Sequence, residues 1–281
     1  MKRIIICLAS ILMTLTLSAQ SVLSFGLRGG WDFLLPETGQ KTQEKFGMSG
    51  AFDFGYTYYI PTKHGDWGIH TGLSAGYVKN ILQLDFEQQS TNYDYLTNEM
   101  LYTTSGTLDT KLHQAFLEVP VMAAVRYKGL VAQLGMKTQF SVWSEANQQL
   151  KNPYIDAYYV PFEVHVPNEL ITGVLSSADL DRKQTGVAPI FNLLLSARIG
   201  YEFEIDAMNK IGIVAYMDYN VWNTHKSSAD SRLLIDVAPI TESSYPVPAV
   251  TVNNAFSTLI SKVNPLQIGI SVYYGLELGR K

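Results

Sequence analysis

The sequence predicts an all-β protein: a closed, up-and-down antiparallel transmembrane β-barrel of about eight strands, with short periplasmic turns and long extracellular loops. Three observations support this prediction. About eight segments alternate apolar and polar residues with a period of two, which in a strand places successive side chains on opposite faces. The connections between these segments alternate between short and long. Charged residues make up only 16% of the chain, below the roughly 25% of soluble domains, so the outer surface need not be wet.

The alternating segments follow one another along the whole chain. In order they cover residues 24–33, 48–60, 67–77, 117–127, 133–142, 195–204, 211–220 and 266–279. Their apolar faces begin with Phe25, Met48, Trp67, Leu117, Leu134, Leu195, Ile211 and Leu266. The seventh segment alternates least regularly and the eighth most clearly. In the fourth, Pro120 lacks an amide proton, which predicts a bulge or an unpaired position in the ladder.

The connections alternate in length in step with the segments. Short connections cover residues 61–66, 128–129 and 206–210, and long ones cover 34–45, 85–112, 144–185 and 223–264. Adjacent antiparallel strands place alternate connections at opposite ends, so one end carries tight turns and the other carries large loops, as in bacterial outer-membrane barrels. Residues 158–166 and 249–252 alternate within the long connections, so a count of ten strands stays open.

The composition of the polar face separates lipid from water as the surroundings. A soluble secreted barrel is the alternative, because it would also alternate, but its exposed face would be dense in Lys, Glu and Thr. Here the polar face is mostly Gly, Ser and Gln, with about one or two charges per strand. Small residues suit the narrow lumen of an eight-stranded barrel. We therefore expect the large apolar side chains to face outer-membrane lipid, with aromatic residues near the strand ends at the membrane surfaces.

The N-terminus has the order of residues found in a secretory signal peptide. Lys2 and Arg3 precede a short apolar run, and small residues follow it. This run is too short to span a membrane, and no later run of about 18 apolar residues exists, which excludes membrane-spanning helices. We expect a signal peptide at residues 1–19 and an outer-membrane β-barrel domain at residues 20–281.

Charge and cysteine content limit the partners and the chemistry. Loss of the two leader cations would take the net charge from −4 to −6, and no basic patch appears, so nucleic acid is not an expected partner. The one cysteine, Cys7, lies inside the leader, so the mature chain would contain no thiol or disulfide. Lipidation of Cys7 is an alternative, but only three isoleucines separate this cysteine from the basic residues, which fits a processing site poorly.

The Ser-Ala-Gln end of the leader, the glycine-spaced strands and the segment Leu117–Val121 (LEVPV) carry a family resemblance. Together they resemble the PorT-like outer-membrane β-barrel proteins of the Bacteroidota, over about residues 22–281. The resemblance implies the location and the architecture, and no particular reaction. The family name also suggests a component of a protein-secretion apparatus. Many outer-membrane strands end in an aromatic residue, whereas this chain ends in Gly279, Arg280 and Lys281.

Charged residues at lumen-facing positions are the main candidate site. They form a predicted structural polar network: Arg28, Asp32, Asp53, His70, Glu118, Arg126, Lys137, Arg198, Glu202, Asp218 and Glu277. Ions of mixed sign should pair there, because an unpaired buried charge is very costly. We expect His70 to hydrogen-bond Asp53 or Glu118. A lumen filled in this way would not conduct, since pores usually need about sixteen strands.

The sequence offers little evidence of catalysis. No two histidines have the spacing of a helical metal motif, and no phosphate-binding or dinucleotide fingerprint is present, so we expect no cofactor and no metal. His225, Ser227 and Asp230 lie close together in a polar loop, where nothing orients the imidazole or supplies an oxyanion site.

The expected function is therefore a non-enzymatic outer-membrane barrel that is structural in the envelope or binds a surface partner. Its long loops would contact an extracellular ligand or an envelope protein. A secretion-apparatus component and a lipid-modifying hydrolase are the alternatives.

Overall fold

The computed structural model describes residues 20–37, 41–94, 96–166, 181–186, 190–223, 235–237, 250–252 and 262–278. The predicted signal peptide therefore lies outside the described residues. In chain order the strands are β1 (Gln20–Glu37), β2 (Lys41–Thr62), β3 (Gly65–Tyr93), β4 (Glu99–Tyr127), β5 (Leu130–Tyr159), β6 (Val164–Val166), β7 (Asp181–Thr185), β8 (Phe191–Glu204), β9 (Asn209–Asn223), β10 (Ile235–Val237), β11 (Val250–Val252) and β12 (Lys262–Leu278). A short 3-10 helix covers Val160–Phe162. Within these ranges, no helix has the length and apolarity needed to cross a membrane.

Eight of the strands close into a barrel. Each pairs antiparallel with the next in the order β1, β2, β3, β4, β5, β8, β9 and β12. The ring closes because β12 pairs with β1 from Ser21 opposite Leu278 to Glu37 opposite Lys262. β6 and β7 pair along β5, while β10 and β11 form a separate two-stranded sheet. The predicted closed antiparallel barrel is confirmed, with eight strands in the ring rather than ten.

Tight turns and both described chain ends lie at the same end of the barrel, which we call the turn end. Lys128 and Gly129 join β4 to β5 with positive φ angles of 50° and 83°, as a two-residue hairpin with the right-handed twist of its strands requires. The turn between β8 and β9 is held by Asp206. Hydrogen bonds from the Asn209 side chain and from the backbone amides of Met208 and Asn209 hold the pKa of Asp206 below its usual value.

The opposite end, which we call the loop end, has longer strands than the alternation indicated. Residues 85–112 and much of 144–185 were expected to be loops, but β3 continues to Tyr93, β4 starts at Glu99 and β5 continues to Tyr159. Backbone pairing explains the difference, since β3 and β4 stay paired up to Tyr93 opposite Glu99. Much of the long connection at 223–264 lies outside the described residues.

Pro120 interrupts the pairing of β4 with β3 without changing the register of the two strands. β4 pairs with β3 at Val121 opposite Thr71 and at Glu118 opposite Ser74, but the two positions between them are skipped in the same register. On its other side, Pro120 is opposite Lys137 of β5. The structure therefore has the unpaired position rather than a bulge, because proline offers no amide proton to the β3 side.

The two faces of the ring differ as predicted. Outward-facing side chains are large and apolar, with Phe52 72% exposed and Leu27 59% exposed. Inward-facing positions carry polar and charged groups, and Glu118 and Lys137 are fully buried. The bulky apolar groups therefore cover the outside of the ring, and ions and small residues fill its centre.

This pattern inverts where the strands rise beyond the ring at the loop end. The inward face of β3 becomes apolar at Leu82, Leu84 and Phe86, while its outward positions beyond Tyr77, apart from Ile81, are polar. Leu84 and Phe86 belong to an apolar core that includes two residues of β10. Its members are Leu84, Phe86, Met100, Tyr102, Leu108, Leu150, Ile155, Ala157, Ile235 and Val237. A polar exterior over an apolar interior is the arrangement of a water-exposed sheet.

Where β1 pairs with β12, the inner side of the barrel has no room for a side chain at Gly30. A Cβ added at Gly30 would lie 2.4 Å from the Ile268 carbonyl oxygen and 2.6 Å from the Tyr216 hydroxyl. The neighbouring Gly29 points to the other face, where the nearest atom to such a Cβ, the Ser49 carbonyl oxygen, is 3.9 Å away. An added methyl group should therefore affect stability at Gly30 but not at the adjacent Gly29.

Gly30→Ala should lower the free energy of unfolding by about 1–3 kcal/mol, because the added methyl overpacks the lumen. Gly29→Ala should change it by less than about 0.5 kcal/mol. Urea unfolding of the barrel in lipid vesicles measures both. Equal losses at the two glycines would contradict the tight inner packing.

Candidate functional site

Six charged residues meet near the middle of the lumen. This central cluster consists of Arg28, Asp53, Glu118, Lys137, Arg198 and Asp218. The guanidinium of Arg28 lies 2.6 Å from Glu118 Oε2 and 3.1 Å from Asp218 Oδ2. Lys137 Nζ lies 2.6 Å from the same Asp218 oxygen. Three cations therefore face three carboxylates, and the cluster is neutral.

The register of the ring brings these residues together from six different strands. Each stands at an inward position of its strand, and their hydrogen bonds join residues as far apart in the chain as Arg28 and Asp218, 190 positions away. The alternation of a strand decides only that these side chains face inward. The pairing of the strands decides which of them meet.

Polar and aromatic neighbours complete the central cluster. Gln139 donates a hydrogen bond of 3.0 Å to Glu118 and accepts one of 2.8 Å from Asn192. The ring of Tyr216 lies 5.3 Å from the Arg28 guanidinium carbon and 5.6 Å from Lys137 Nζ. These contacts offset part of the desolvation cost of the buried ions.

A second group of charges, the turn-end cluster, lies at the mouth of the barrel and consists of Asp66, Arg126, Glu202, Lys210 and Glu277. Arg126 Nη2 lies 2.8 Å from Asp66 Oδ2, and Lys210 Nζ lies 2.7 Å from Glu277 Oε2. Arg126 is also 3.6 Å from Glu277 and 3.8 Å from Glu202. This cluster lines a cavity of about 550 Å³ that opens at the turn end.

Aromatic side chains pack around the turn-end cluster. The Arg126 guanidinium stacks over the ring of Tyr59, 4.5 Å from its centre. Tyr273 donates a hydrogen bond of 2.7 Å to Glu202. Tyr59 is only 1% exposed and packs with Val22 and Ala124 as an apolar layer between the two clusters.

Nine of the eleven predicted network residues belong to these two clusters, and Asp32 and His70 do not. Asp32 is buried beside Gln267, its backbone partner on β12, and among the described residues no cation lies within 4.0 Å of it. His70 Nδ1 lies 2.8 Å from Thr57 Oγ1. The expected bond from His70 to Asp53 or Glu118 was wrong, because Thr57 stands directly opposite His70 in the pairing of β2 with β3.

The predicted network lacks four residues in or beside the turn-end cluster, although the alternation of the strands indicates that they face the lumen. Asp66 and Lys210 fell inside the predicted short turns, although each lies an even number of positions from a lumen residue of its strand. Tyr59 lies an even number of positions after Asp53 on β2, so both side chains should face the lumen. Tyr273 has the same parity as Gln267 and Ser271 on the polar face of the eighth segment, and its hydroxyl group can donate a hydrogen bond there.

Between the clusters lies a cavity of about 30 Å³, lined in part by Asp53, His70 and Arg198. This volume is close to that of a single water molecule. The lumen is therefore wide at the turn-end mouth and nearly filled in the middle.

Three of the described histidines contact a polar side chain, and in none of these contacts is the partner a serine or a cysteine. His70 contacts Thr57, His113 contacts the Tyr77 hydroxyl, and His165 lies 3.1 Å from Asp156. The described residues also contain no group of three or more His, Cys, Asp or Glu that could hold a metal ion. His225, Ser227 and Asp230 lie outside the described residues.

Comparisons with known proteins give distant likenesses only. No protein-family model matches the chain, and no curated protein matches it. Solved structures do match. Ail, the attachment invasion locus protein of Yersinia pestis, solved with the heparin analogue sucrose octasulfate, is 10% identical with a TM-score of 0.32, over 93% of this chain and 99% of that chain.

Two further solved structures are of the same kind. Neisserial surface protein A is 8% identical with a TM-score of 0.30, over 91% of this chain and 97% of that chain. The outer membrane protein OprG from Pseudomonas aeruginosa is 8% identical with a TM-score of 0.21, over 92% of this chain and 97% of that chain. At this distance the neighbours say nothing of what this chain binds.

Lys137→Met should cost about 3–5 kcal/mol of unfolding free energy, because it leaves the central cluster with an uncompensated buried carboxylate. The double variant Lys137→Met/Asp218→Asn restores the balance of charges and should recover more than half of that loss. Denaturant unfolding in vesicles gives both values.

The matched control is Lys151→Met. Lys151 also pairs with a carboxylate, that of Asp109, but its side chain is 49% exposed. An exposed ion pair contributes at most about 1 kcal/mol. A Lys137 effect no larger than the Lys151 effect would show that the buried charges are not coupled.

Proposed function

We propose that this chain is a non-enzymatic outer-membrane β-barrel protein whose loop-end sheet presents a binding surface outside the cell. The observation that carries the proposal is the closed ring itself, with apolar side chains outside and a neutral set of buried ions inside. In hydrocarbon every backbone amide and carbonyl needs a partner, and only helices and closed barrels supply one. Soluble monomeric proteins rarely expose an apolar surface that covers the whole outside of a barrel.

The dimensions of the apolar belt support a membrane position. On β3 the outward face is apolar from Trp67 to Tyr77, apart from Thr71, and becomes charged at Lys79. This span of about ten residues is the length of a tilted strand that crosses a bilayer. Exposed aromatic residues mark both limits of the belt, with Trp67 and Tyr127 toward the turn end and Tyr77 and Trp143 toward the loop end.

The orientation follows from the predicted leader and from the loop-end sheet. Removal of residues 1–19 would leave Gln20, which lies at the turn end, as the first residue of a barrel domain at 20–281. The turn end would then face the periplasm. The inverted faces of β3, β4 and β5 at the loop end fit a sheet that stands in water outside the cell, where its polar outer face is available to a ligand or an envelope protein.

The proposed role of the lumen charges is structural. They are neutral as a central cluster and nearly fill the centre of the barrel, so the barrel would hold its shape without conducting. The resemblance to PorT-like proteins, and with it a place in a protein-secretion apparatus, stays a prediction. A lipid-modifying hydrolase would depend on the segment of His225, Ser227 and Asp230, and it is the less favoured candidate, since the described histidines contact threonine, tyrosine and aspartate.

Cell fractionation followed by gel electrophoresis with and without boiling tests the proposal. Folded outer-membrane barrels resist the detergent until they are boiled, so the protein should be found in the outer-membrane fraction and change mobility on heating. Intact mass should show a chain that starts at Gln20. A soluble protein without a heat-dependent shift would contradict the proposed location.

A further inference from the structure

On the outward face of the sheet, residues that lie opposite one another on neighbouring strands form rows. Three of these rows lie at and just beyond the loop-end edge of the apolar belt. The last belt row contains Tyr77 on β3 and Trp143 on β5, both opposite Ala115 of β4. These two aromatic side chains are 45% and 44% exposed. Because interfacial aromatics sit at the level of the headgroups, this row marks the edge of the hydrocarbon at the loop end.

The next two rows are basic. Strand pairing places Lys79 beside His113, and Lys111 one row higher on the neighbouring strand. The same two rows continue on β5 and β7 with Glu145 and Lys183. Lys79 and Lys111 stand at diagonal positions of adjacent strands, which in an antiparallel pair are roughly 7–8 Å apart at most. Their flexible side chains can therefore reach one anion together.

The acidic group in these rows is already paired. Glu145 Oε2 lies 2.8 Å from Lys183 Nζ. In the part of the chain that the structure describes, neither Lys79 nor Lys111 forms an ion pair, and both are exposed. The two rows thus carry two cations that no carboxylate of the described sheet neutralises.

The rows above do not continue this pattern. Asp109 lies one row beyond Lys111 and pairs with Lys151 from the following row. The uncompensated positive charge is therefore confined to a band of two rows. With a rise of about 3.3 Å per residue, Lys79 and Lys111 lie about 7 and 13 Å along the strands beyond the aromatic row. A strand tilt of about 45° brings these distances to about 5 and 9 Å along the membrane normal, and the headgroup region of one leaflet is about 5–8 Å deep.

We propose that Lys79 and Lys111 bind the phosphate groups of lipid headgroups in the outer leaflet. The inference rests on the proposed membrane position of the barrel and adds a specific contact to it. The chemistry is that of an anion with a charge near −1 to −2 held between two ammonium groups, with the hydrocarbon chains of the same lipid lying against Tyr77. A free phosphate shares the charge of the headgroup but lacks these chains.

The test uses the full mature protein in a neutral detergent, titrated with phosphatidylglycerol, and native mass spectrometry counts the lipids retained. Lys79→Gln and Lys111→Gln should each weaken retention by about 5-fold, and the double variant by on the order of 20-fold, as expected for lysines at an anionic lipid surface. Lys151→Gln is the matched control. It removes the same charge about 13 Å farther along the sheet and should leave retention unchanged.

Two further arms make the outcome decisive. Inorganic phosphate at millimolar concentration should compete poorly, and displacement of the lipid by free phosphate at that concentration would overturn the assignment to lipid. Equal retention by wild type, the double variant and the Lys151 control would also overturn it. The heat-dependent gel shift of each variant reports folding separately, so a loss of the membrane barrel cannot be mistaken for a loss of this contact.

Discussion

The pairing of β1 with β12 joins the first ring strand to the last and leaves the ring without an open edge. Closure allows the exterior to be apolar, because a closed ring has no edge strand with a row of unpaired backbone amides. It also creates a narrow interior, in which small residues such as Gly30 leave room for ions. Charges enclosed there must balance, and the central cluster does so with three cations and three carboxylates.

The change of faces along β3 connects this constraint to function. Within the ring the strand is apolar outside and polar inside, and beyond Tyr77 the same alternation carries an apolar core inside and polar groups outside. One continuous strand thus has an apolar outer face in the ring and a mostly polar one beyond it, and its pairing with β4 runs without a gap from Ser74 to Tyr93. The exposed lysines of the basic rows lie at this transition, where headgroups would be found.

Strand number, strand faces and the tight turns could be predicted from the sequence, because a period of two and short polar connections are local signals. Strand length at the loop end could not. The outward residues there are polar, so residues 85–112 resembled loops until their pairing was known. The pairing partners of the individual charged residues could not be predicted from the local sequence either. The alternation of each strand predicts that Arg28 and Asp218 face the lumen, but only the register of the ring brings their side chains within 3.1 Å of each other. The register likewise places Thr57 opposite His70.

Spin labels at three consecutive positions of β12 test the central claim most directly. In a chain with Cys7 replaced, single cysteines at Ile270, Ser271 and Val272 carry the label, and the folded barrel is reconstituted in vesicles. The labels at Ile270 and Val272, which are 57% and 47% exposed on the outer face, should be accessible to oxygen dissolved in lipid and shielded from a water-soluble nickel complex. The label at the buried Ser271 should be accessible to neither. Equal accessibility of all three to the nickel complex would contradict a lipid-facing exterior.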